Sequence, residues 1–391
     1  MPSILGANST SGAFEVTNSC RFDTNASMTK TSSTGSNTKS TFSAWVKRSK
    51  LGAEQKIFNF TGGSNNFNIE FKSTDILAVS SYDGSSQMNL RPTRVFRDVS
   101  AWYHIVVAID TTQGTAANRV KIYVNGVQES SFGTETYPSQ NDTIEMNGRN
   151  STNPFVGQDG GDDKFFNGYL AELVWIDGSQ LAATSFGEFD EDTTTVWKPI
   201  NVGTLTVGTN GFYLNFKDSS NLGDDAYGGT DLGETNIAAT DQSIDTCQNN
   251  FCTLSPLYNV DGSYTLSEGN TQFLGTGGND HTLGTLGVQG SGKWYFEAEF
   301  DTRSQGAYSG FADSDLANNL ASDAAGVTVF IGMYRDDYAM QIGGGNDGAY
   351  TDVSDGDIFG FAMNLDANSG SRTVIIQKNG STIDTVTIPT A

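Results

Sequence analysis

The 391-residue chain contains few of the residues on which several classes of protein depend. It has three cysteines and two histidines, and 22 basic residues stand against 45 acidic ones. Three cysteines do not form a disulfide framework, and two histidines argue against a zinc site. The spacing of Cys247 and Cys252 is compatible with two alternatives, a disulfide that closes a small loop or two free thiols. The net charge of −23, with no basic cluster to offset it, argues against nucleic-acid binding.

Long apolar runs are also missing. No stretch carries the roughly 18 uninterrupted apolar residues of a membrane span, and the start MPSILGANST lacks the layout of a signal peptide. The sequence therefore predicts a soluble protein that does not insert into membranes.

Glycine is abundant instead, with 45 residues, and Ser, Thr and Asn fill the gaps between short apolar runs. This mixture is typical of many strands joined by turns. In AWYHIVVAIDTTQGTAANRVKIYVNGVQ (101–128), residues 102–109 are apolar on both faces, which indicates a central strand covered on both sides. Asn125 and Gly126 predict a tight hairpin turn. His104 has no catalytic or metal-binding partner at a suitable spacing, so we predict a packed structural histidine.

Alternating strands occur in both halves of the chain. FSAWVK (42–47) predicts a strand with one buried face, Phe42, Ala44 and Val46, opposite Ser43, Trp45 and Lys47. GFYLNF (211–216) predicts a strand that completes a first sandwich. WYFEAEF (294–300) predicts a strand with one apolar face, and residues 357–380 again combine an apolar strand with an Asn-Gly turn.

Several of these strings resemble a known family. The strand with SAWVKRS, the Trp-x-His strand, the YVNG hairpin and GYLAELVWIDG resemble a LamG-like, concanavalin A-type jelly roll. GKWYFE and GDIFGFAMNLD resemble the core of SPRY domains. Together the strings are similar to structural proteins of marine bacteriophages, in which such a jelly roll precedes a SPRY-like sandwich.

The resemblance implies an all-β chain of two tandem antiparallel β-sandwiches. We expect the jelly roll at 1–200 and a connector at 201–255 with a strand near 211–216. The SPRY-like sandwich is expected at 256–391, where it is either incomplete or trimmed at its end. The connector, rich in Gly and Asp, is either a flexible linker or an arm that packs against a neighbouring subunit.

The function implied by the resemblance is that of a virion structural protein, made in the host bacterial cytoplasm. The favoured role is a tail-fibre or appendage adhesin that contacts a host-surface glycan or protein. The alternative is a capsid decoration or head-fibre protein with an architectural role. The expected partners are other virion proteins and further copies of the chain, as a trimer, and no cofactor is required.

Contact residues are expected in the loops at the rim of the jelly roll, because loops vary without disturbing a core. An exposed aromatic with Asp or Asn suits a sugar, which predicts Tyr82 and Asp83 in the loop 81–89 and Phe155 in the loop 150–163. LamG-type sandwiches often hold calcium at the rim, and QDGGDD (158–163) offers candidate oxygen ligands. These calcium ligands are Asp159, Asp162 and Asp163.

A glycoside hydrolase on the same fold is a remote alternative, because that chemistry requires two carboxylates that face one cleft. Two acidic strings meet the first condition: Glu297, Glu299 and Asp301, and Glu188, Asp190 and Asp192. The first is expected on the exposed face of a strand in the SPRY-like half, and the second in a turn. We therefore predict that the protein is not an enzyme.

Overall fold

The computed structural model describes residues 14–161, 163–258, 264–275, 280, 282–288, 290–301, 308–312, 330–334, 341–342, 345–346, 354–368 and 371–388. The chain divides into two compact units. The first contains the residues up to Leu257 together with Leu266–Leu274 and Leu283–Thr285, and the second contains the rest.

Regular structure is almost entirely β-strand, which confirms the predicted fold class. Strands in residues 14–258 are β1 (Ser19–Phe22), β2 (Ser27–Thr29), β3 (Lys39–Arg48), β4 (Gln55–Gly62), β5 (Asn65–Phe71), β6 (Leu77–Tyr82), β7 (Ser86–Pro92), β8 (Trp102–Asp110), β9 (Val120–Val124), β10 (Val127–Gln128), β11 (Phe132–Thr136), β12 (Asn153–Val156), β13 (Gly168–Asp177), β14 (Gly187–Phe189), β15 (Trp197–Pro199), β16 (Phe212–Leu214), β17 (Gly233–Thr235) and β18 (Gln242–Ser243). Strands in the described residues after 258 are β19 (Thr265–Ser267), β20 (Gln272–Leu274), β21 (Lys293–Phe300), β22 (Tyr308–Ala312), β23 (Phe330–Tyr334), β24 (Gln341–Ile342), β25 (Gly345–Asn346), β26 (Asp357–Asn364), β27 (Thr373–Lys378) and β28 (Ser381–Thr387).

Helical structure in the described part of the chain is confined to single turns. These are α1 (Ala116–Arg119) and 3-10 turns at Arg149–Ser151, Ala183–Ser185, Ala239–Asp241 and Glu268–Asn270. No helix among the described residues is long and apolar enough to cross a membrane.

The first unit is built on two antiparallel sheets. Sheet A has the strand order β10-β9-β8-β3-β13-β1-β18, with β16 also paired to β13, and sheet B has the order β11-β7-β6-β5-β4-β12-β2-β17. Their facing sides share one apolar core in which the Trp175 ring of sheet A lies 5.0 Å from Phe58 and 5.1 Å from Phe60 of sheet B. Two sheets packed face to face in this way form a sandwich.

The outer face of sheet A is buried as well. Residues 102–109 in β8 are covered on both sides, as the sequence predicted, with Ile105 and Val107 in the inner core and Val106 in a second cluster outside the sheet. The second cluster includes Phe186 and Trp197, which come from the chain after β13.

The prediction that β3 has one buried face is wrong, because both of its faces are buried. On the face with polar residues, Ser43 and Lys47 are each 1% exposed and Trp45 is 4% exposed. The physical reason is that residues remote in sequence cover this face: Trp197 packs in one cluster with Trp45, and Asp245 pairs with Lys47.

The structure confirms the predicted hairpin turns. Asn125 and Gly126 have φ values of 48° and 77°, and Asn379 and Gly380 have the same pair of values. Two consecutive positive φ angles are the geometry of the two-residue turn that Asn-Gly favours.

Residues 201–255 contribute strands to the first unit. β16 lies within the predicted strand 211–216 and pairs with β13, β17 pairs with β2, and β18 pairs with β1. The three cysteines are free thiols.

The described part of the second unit contains a four-stranded antiparallel sheet in the order β21-β26-β27-β28. Its apolar side packs Phe296 of β21 against Phe361 of β26, with ring centroids 4.8 Å apart. Glu297 and Glu299 lie on the other side of β21 and are exposed. The alternation predicted for this strand is therefore confirmed.

Candidate functional site

The predicted contact residues lie on sheet B. Tyr82 ends β6 and is 41% exposed, and Asp83 follows it in a turn. The Asp83 carboxylate already accepts a hydrogen bond from Gln87 Nε2 at 3.2 Å and lies 3.6 Å from Arg149. Phe155 lies in β12 rather than in a loop, and it is partly buried.

The strand register places Tyr82 and Phe155 on the same outer face of sheet B. Tyr82 pairs with Asn66, Asn66 with Thr61, and Thr61 with Asn153, so these four residues form one row across β6, β5, β4 and β12. Phe155 is two residues beyond Asn153 and therefore faces the same side. Three strand spacings, about 14 Å, separate β6 from β12.

The surface between these two aromatic residues is polar and uncharged. We call it the amide face, and it consists of Asn59, Asn66, Asn68 and Ser80. The Asn68 amide donates to Asn66 at 2.7 Å and to Ser80 at 3.3 Å. Asn59 is 1% exposed, and neither atom of its carboxamide has a hydrogen-bond partner. Such groups are the ones that bind hydroxyl-rich molecules through hydrogen bonds.

The loop of the predicted calcium ligands lies beside this face. A Cβ atom on Gly160 would come within 2.2 Å of Thr61 Cγ2 and 3.1 Å of Phe155 Cε2, so the loop passes close over β4 and β12 at a position that requires glycine. The structure thus brings Asp159 near Phe155. Tyr82 and Asp83 lie at the other end of the row, and Asp162 lies outside the described residues.

Lys164 competes with a metal ion for the two described carboxylates. Its ammonium lies 3.3 Å from Asp159 Oδ2 and 3.9 Å from Asp163 Oδ1. Burial acts to raise the pKa of Asp159, but its hydrogen bonds with Asp163, Gly161 and Lys164 lower that pKa overall. The same hydrogen bond between the two carboxyl groups raises the pKa of Asp163. Within the described ranges, no three His, Cys, Asp or Glu side chains converge on one metal position. Calcium binding at this loop stays a prediction.

Lys164→Gln is expected to raise the calcium affinity of this loop about fivefold, because two unit charges about 4 Å apart in water interact by ~1 kcal/mol. Calcium titration calorimetry of the two proteins measures the change. Lys50→Gln, which removes an exposed lysine, is the matched control and should leave the titration as it is. If calcium produces no heat of binding with either protein, the calcium prediction is wrong.

A pocket of about 310 Å³ opens where the row of polar residues ends. Its walls come from three segments, residues 30–33, 207–211 and 225–230. Asn153, the last residue of the row, accepts the Ser32 backbone N–H at 2.9 Å, between the lining residues Thr31 and Ser33. The polar row of sheet B is therefore continuous with the pocket.

Asp225 is the single carboxylate in the lining of this pocket. Its side chain is held because Oδ1 accepts the backbone N–H groups of Tyr213 at 3.0 Å and Tyr227 at 3.1 Å. The other oxygen, Oδ2, is buried and has no hydrogen-bond partner, and Asp225 is 3% exposed. A buried carboxylate oxygen without a donor is costly, and a ligand that supplies a hydroxyl group removes that cost.

Lys30 places a positive charge on the same pocket. Its ammonium lies 3.4 Å from the Thr230 carbonyl and 3.5 Å from the Gly211 carbonyl, and 4.7 Å from the centre of the Phe212 ring. Burial lowers its pKa, while the nearby Asp225 opposes that shift. The pocket therefore offers an acceptor for one hydroxyl group and a donor for another.

The sequence analysis missed this pocket. Asp225 and the wall 207–211 both lie in the segment 201–255 that was expected to be a connector, and the wall 30–33 is far from them in the chain. The one local signal is the pair Asp224 and Asp225 followed by Tyr227 and two glycines, a combination of acceptor, aromatic ring and open backbone.

The acidic strings considered for hydrolysis do not meet in this pocket. Glu297 and Glu299 belong to the second unit. Glu188 lies on the short strand β14, not in the turn that was expected, and Glu188 and Asp190 both approach Lys198, at 3.5 and 3.3 Å. Among the lining residues of the pocket, Asp225 is the single carboxylate.

Comparison with known proteins agrees with this architecture. Residues 22–183 match the Laminin_G_3 family model, which describes the concanavalin A-like lectin/glucanases superfamily. Residues 22–183 form a concanavalin A-like jelly roll. No curated protein sequence matches the chain.

Solved structures that match this chain share little sequence with it. A candidate carbohydrate-binding protein from Bacteroides ovatus is 16% identical with a TM-score of 0.39, and the match covers 60% of this chain and 61% of that one. A pentraxin from Limulus polyphemus is 16% identical (TM-score 0.33; 44% and 80% covered), and a Trypanosoma rangeli sialidase is 14% identical (TM-score 0.27; 38% and 22% covered). These values carry no functional assignment.

Proposed function

We propose that the protein is a non-catalytic glycan-recognition protein of a bacteriophage particle, which attaches to a host-surface glycan through the Asp225 pocket. The observation that carries this proposal is the Oδ2 atom of Asp225, a buried acceptor without a donor in the wall of an open polar pocket. A sugar hydroxyl group donates to Oδ2, and a neighbouring hydroxyl group accepts from Lys30.

The amide face extends the site for a longer glycan. From the pocket, the row through Asn153, Thr61 and Asn66 leads across sheet B to Tyr82. Amides and hydroxyl groups pair with sugar hydroxyl groups, and the exposed Tyr82 ring offers a surface on which a sugar ring stacks. Tyr82, Asp83 and Phe155 keep their predicted roles as contact residues in this proposal.

Absence of catalysis is part of the proposal. Glycoside hydrolysis uses two carboxylates roughly 5 to 10 Å apart on either side of the scissile bond. A pocket with one lining carboxylate binds a sugar without supplying the second group.

The assignment to a phage particle is supported by the resemblance of strings in both halves of the chain to virion proteins, with the second unit as a SPRY-like sandwich. In this proposal, one glycan site binds weakly, so attachment requires several copies on one homo-oligomer, for which a trimer is favoured. The protein is then located in the virion, in contact with other virion proteins. The second candidate is capsid decoration or a head fibre with an architectural role, which the same resemblance to virion structural proteins supports.

Asp225→Asn is expected to weaken glycan binding about 10- to 100-fold, since a hydrogen bond to a charged group contributes ~1.5–3 kcal/mol. The amide retains an oxygen for Tyr213 and Tyr227 and turns the unpaired acceptor into a donor. A glycan array with the unmodified chain identifies the ligand, and calorimetry compares the variant with it. Asp218→Asn, a change at an exposed aspartate, is the matched control.

The same pair of variants tests the biological role. Excess purified protein should reduce phage adsorption, the Asp218→Asn control should reduce it equally, and Asp225→Asn should not. Adsorption that is unchanged by the unmodified protein, together with its location on the capsid, would favour decoration over attachment. Release of reducing sugar from the bound glycan would overturn the non-catalytic assignment.

A further inference from the structure

A second cleft, which shares no lining residue with the Asp225 pocket, lies on the outer face of sheet A. It has a volume of about 320 Å³ and is lined by three tryptophans, Trp45, Trp102 and Trp197. The other lining residues are uncharged and include Asn125 and Asn250. The volume is at the small end of the range of ligand pockets. We call this site the tryptophan cleft.

Trp45 has an unsatisfied donor in this cleft. Its indole N–H is buried and has no hydrogen-bond partner. The other four tryptophans of the chain all donate: Trp102 to Asp245, Trp175 to Asn147, Trp197 to His104 and Trp294 to the Ser291 carbonyl. Buried donors in native proteins are nearly always paired, so an unpaired N–H in the lining of a cleft is a candidate partner for an acceptor on a ligand.

His104 fixes two walls of the cleft. Its ring stacks on Trp45 with centroids 4.8 Å apart, and the Trp197 indole N–H donates to His104 Nδ1 at 2.9 Å. Because Nδ1 accepts, Nε2 carries the proton and donates to Ser43 Oγ at 2.9 Å. Burial lowers the pKa of His104 to about 3, so the ring stays neutral in this arrangement at physiological pH.

The charges beneath the cleft are already neutralised. Asp245 accepts the Trp102 indole N–H at 2.9 Å and forms an ion pair of 2.7 Å with Lys47. Asn250 Oδ1 accepts a hydrogen bond from the same lysine at 2.8 Å. The cleft therefore presents aromatic rings, the Asn125 amide group and the unpaired Trp45 N–H to a ligand, and no net charge.

We propose that the tryptophan cleft binds a neutral pyranose ring, with the Trp45 indole N–H donating to a hydroxyl or ring oxygen. Aromatic rings pack against the apolar C–H face of a sugar. The Asn125 Nδ2 group, whose side-chain oxygen accepts the His104 backbone N–H at 2.8 Å, donates to a sugar hydroxyl group. A cationic ligand brings no acceptor for Trp45, and an anionic ligand finds no charged partner in the lining. The inference goes beyond the proposed function because it places a second sugar site that does not depend on Asp225.

The indole N–H resonances report on this site directly. In the ¹⁵N-labelled chain the five tryptophans give five indole cross-peaks, and Trp45→Phe identifies the peak of Trp45 by its loss. The probes are the methyl glycosides of glucose, galactose, mannose and N-acetylglucosamine. At least one of them should shift the Trp45 peak in a saturable way and leave the Trp175 peak in place, because Trp175 is fully buried in the inner core.

Ala101→Phe supplies the blocking variant, since Ala101 lines the cleft and a phenyl ring there fills it. It should weaken the response of Trp45 by at least about tenfold. Ala116→Phe, at an exposed position on α1, is the matched control and should respond like the unmodified chain. If Ala101→Phe does not fold, the titration of the unmodified chain still decides the question.

The inference is overturned if no methyl glycoside shifts the Trp45 peak, whether or not choline chloride, a cationic comparison ligand, shifts it. Asp225→Asn separates this inference from the proposed function. It should weaken binding at the Asp225 pocket and leave the titration of Trp45 unchanged, whereas Ala101→Phe should weaken the response of Trp45 and leave binding at the Asp225 pocket unchanged.

Discussion

Lys47→Met is expected to lower the free energy of unfolding by about 3–5 kcal/mol, because it leaves Asp245 as a buried charge without its partner. The two side chains are 1% and 6% exposed. The ammonium of Lys47 uses all three donors, to Asp245 at 2.7 Å and to Asn250 Oδ1 and the Phe251 carbonyl at 2.8 Å each. Burial lowers the pKa of Lys47 and the carboxylate of Asp245 opposes that shift, so the pair is interdependent.

Urea unfolding measured by tryptophan fluorescence gives the change in stability. Lys39→Met is the control, since Lys39 lies at the other end of β3, is 41% exposed and lies 3.5 Å from Asp110, whose carboxylate also accepts hydrogen bonds from Thr112 and Gln113. A surface pair contributes ~0–1 kcal/mol, so this variant should unfold almost as the parent does. In the double variant Lys47→Met/Asp245→Asn, much of the loss should be recovered. Equal effects of Lys47→Met and Lys39→Met would contradict the buried pair.

The same lysine shows where reasoning from the sequence stops. Alternation in FSAWVK correctly indicated a strand and its inner face, with Phe42, Ala44 and Val46. It could not indicate that residues about 150 to 200 positions later cover the other face, because alternation reports local polarity and not what packs on it. A tryptophan among the polar residues of that face, Trp45, was the available sign of a second buried layer.

Strands that contain their own evidence were predicted well. β8 is apolar at successive positions, so both of its faces must be buried, whichever segments of the chain pack on them. Both faces are buried in the structure. The Asn-Gly turns follow from backbone geometry alone, and both adopt the expected positive φ angles.

The residues of the candidate sites could be predicted from the sequence only in part. Tyr82 and Phe155 were chosen because aromatic residues in polar segments stand out in a sequence, and the register does place them on one face. Asp225 and Trp45 are recognisable only from their unpaired atoms, which depend on every neighbour in the fold. A hydrogen bond that is missing leaves no trace in the sequence.

Glu172 also has a buried atom without a hydrogen-bond partner, and its position has a consequence for stability. It lies in β13 at an irregularity of the pairing with β3, with a positive φ of 49°, and is 4% exposed. One carboxylate oxygen accepts the Tyr213 hydroxyl, and the other, Oε1, is buried without a partner. Burial raises the pKa of Glu172 to about 7, although the Tyr213 hydrogen bond and Lys217 act in the opposite direction.

Glu172→Gln is expected to remove a loss of stability between about pH 4.5 and pH 7. Below pH 4.5 the carboxyl group is protonated in both the folded and the unfolded chain. Between pH 4.5 and 7 the unfolded chain ionises while the folded chain retains the proton, so stability falls as the pH rises through the folded pKa. The shift from 4.5 to about 7 corresponds to about 3 kcal/mol at 1.36 kcal/mol per pKa unit.

Glutamine keeps the shape of the neutral acid and an oxygen for the Tyr213 hydroxyl, and it cannot ionise. The difference in unfolding free energy between variant and parent should therefore grow by about 3 kcal/mol from pH 4 to pH 8, in favour of the variant. Urea titrations at intervals of pH measure it, with Glu191→Gln, at an exposed glutamate, as the control that should show no such growth. A difference that stays constant across this range would mean that Glu172 ionises in the folded protein as readily as in the unfolded one, and that its burial is relieved by contacts other than Tyr213.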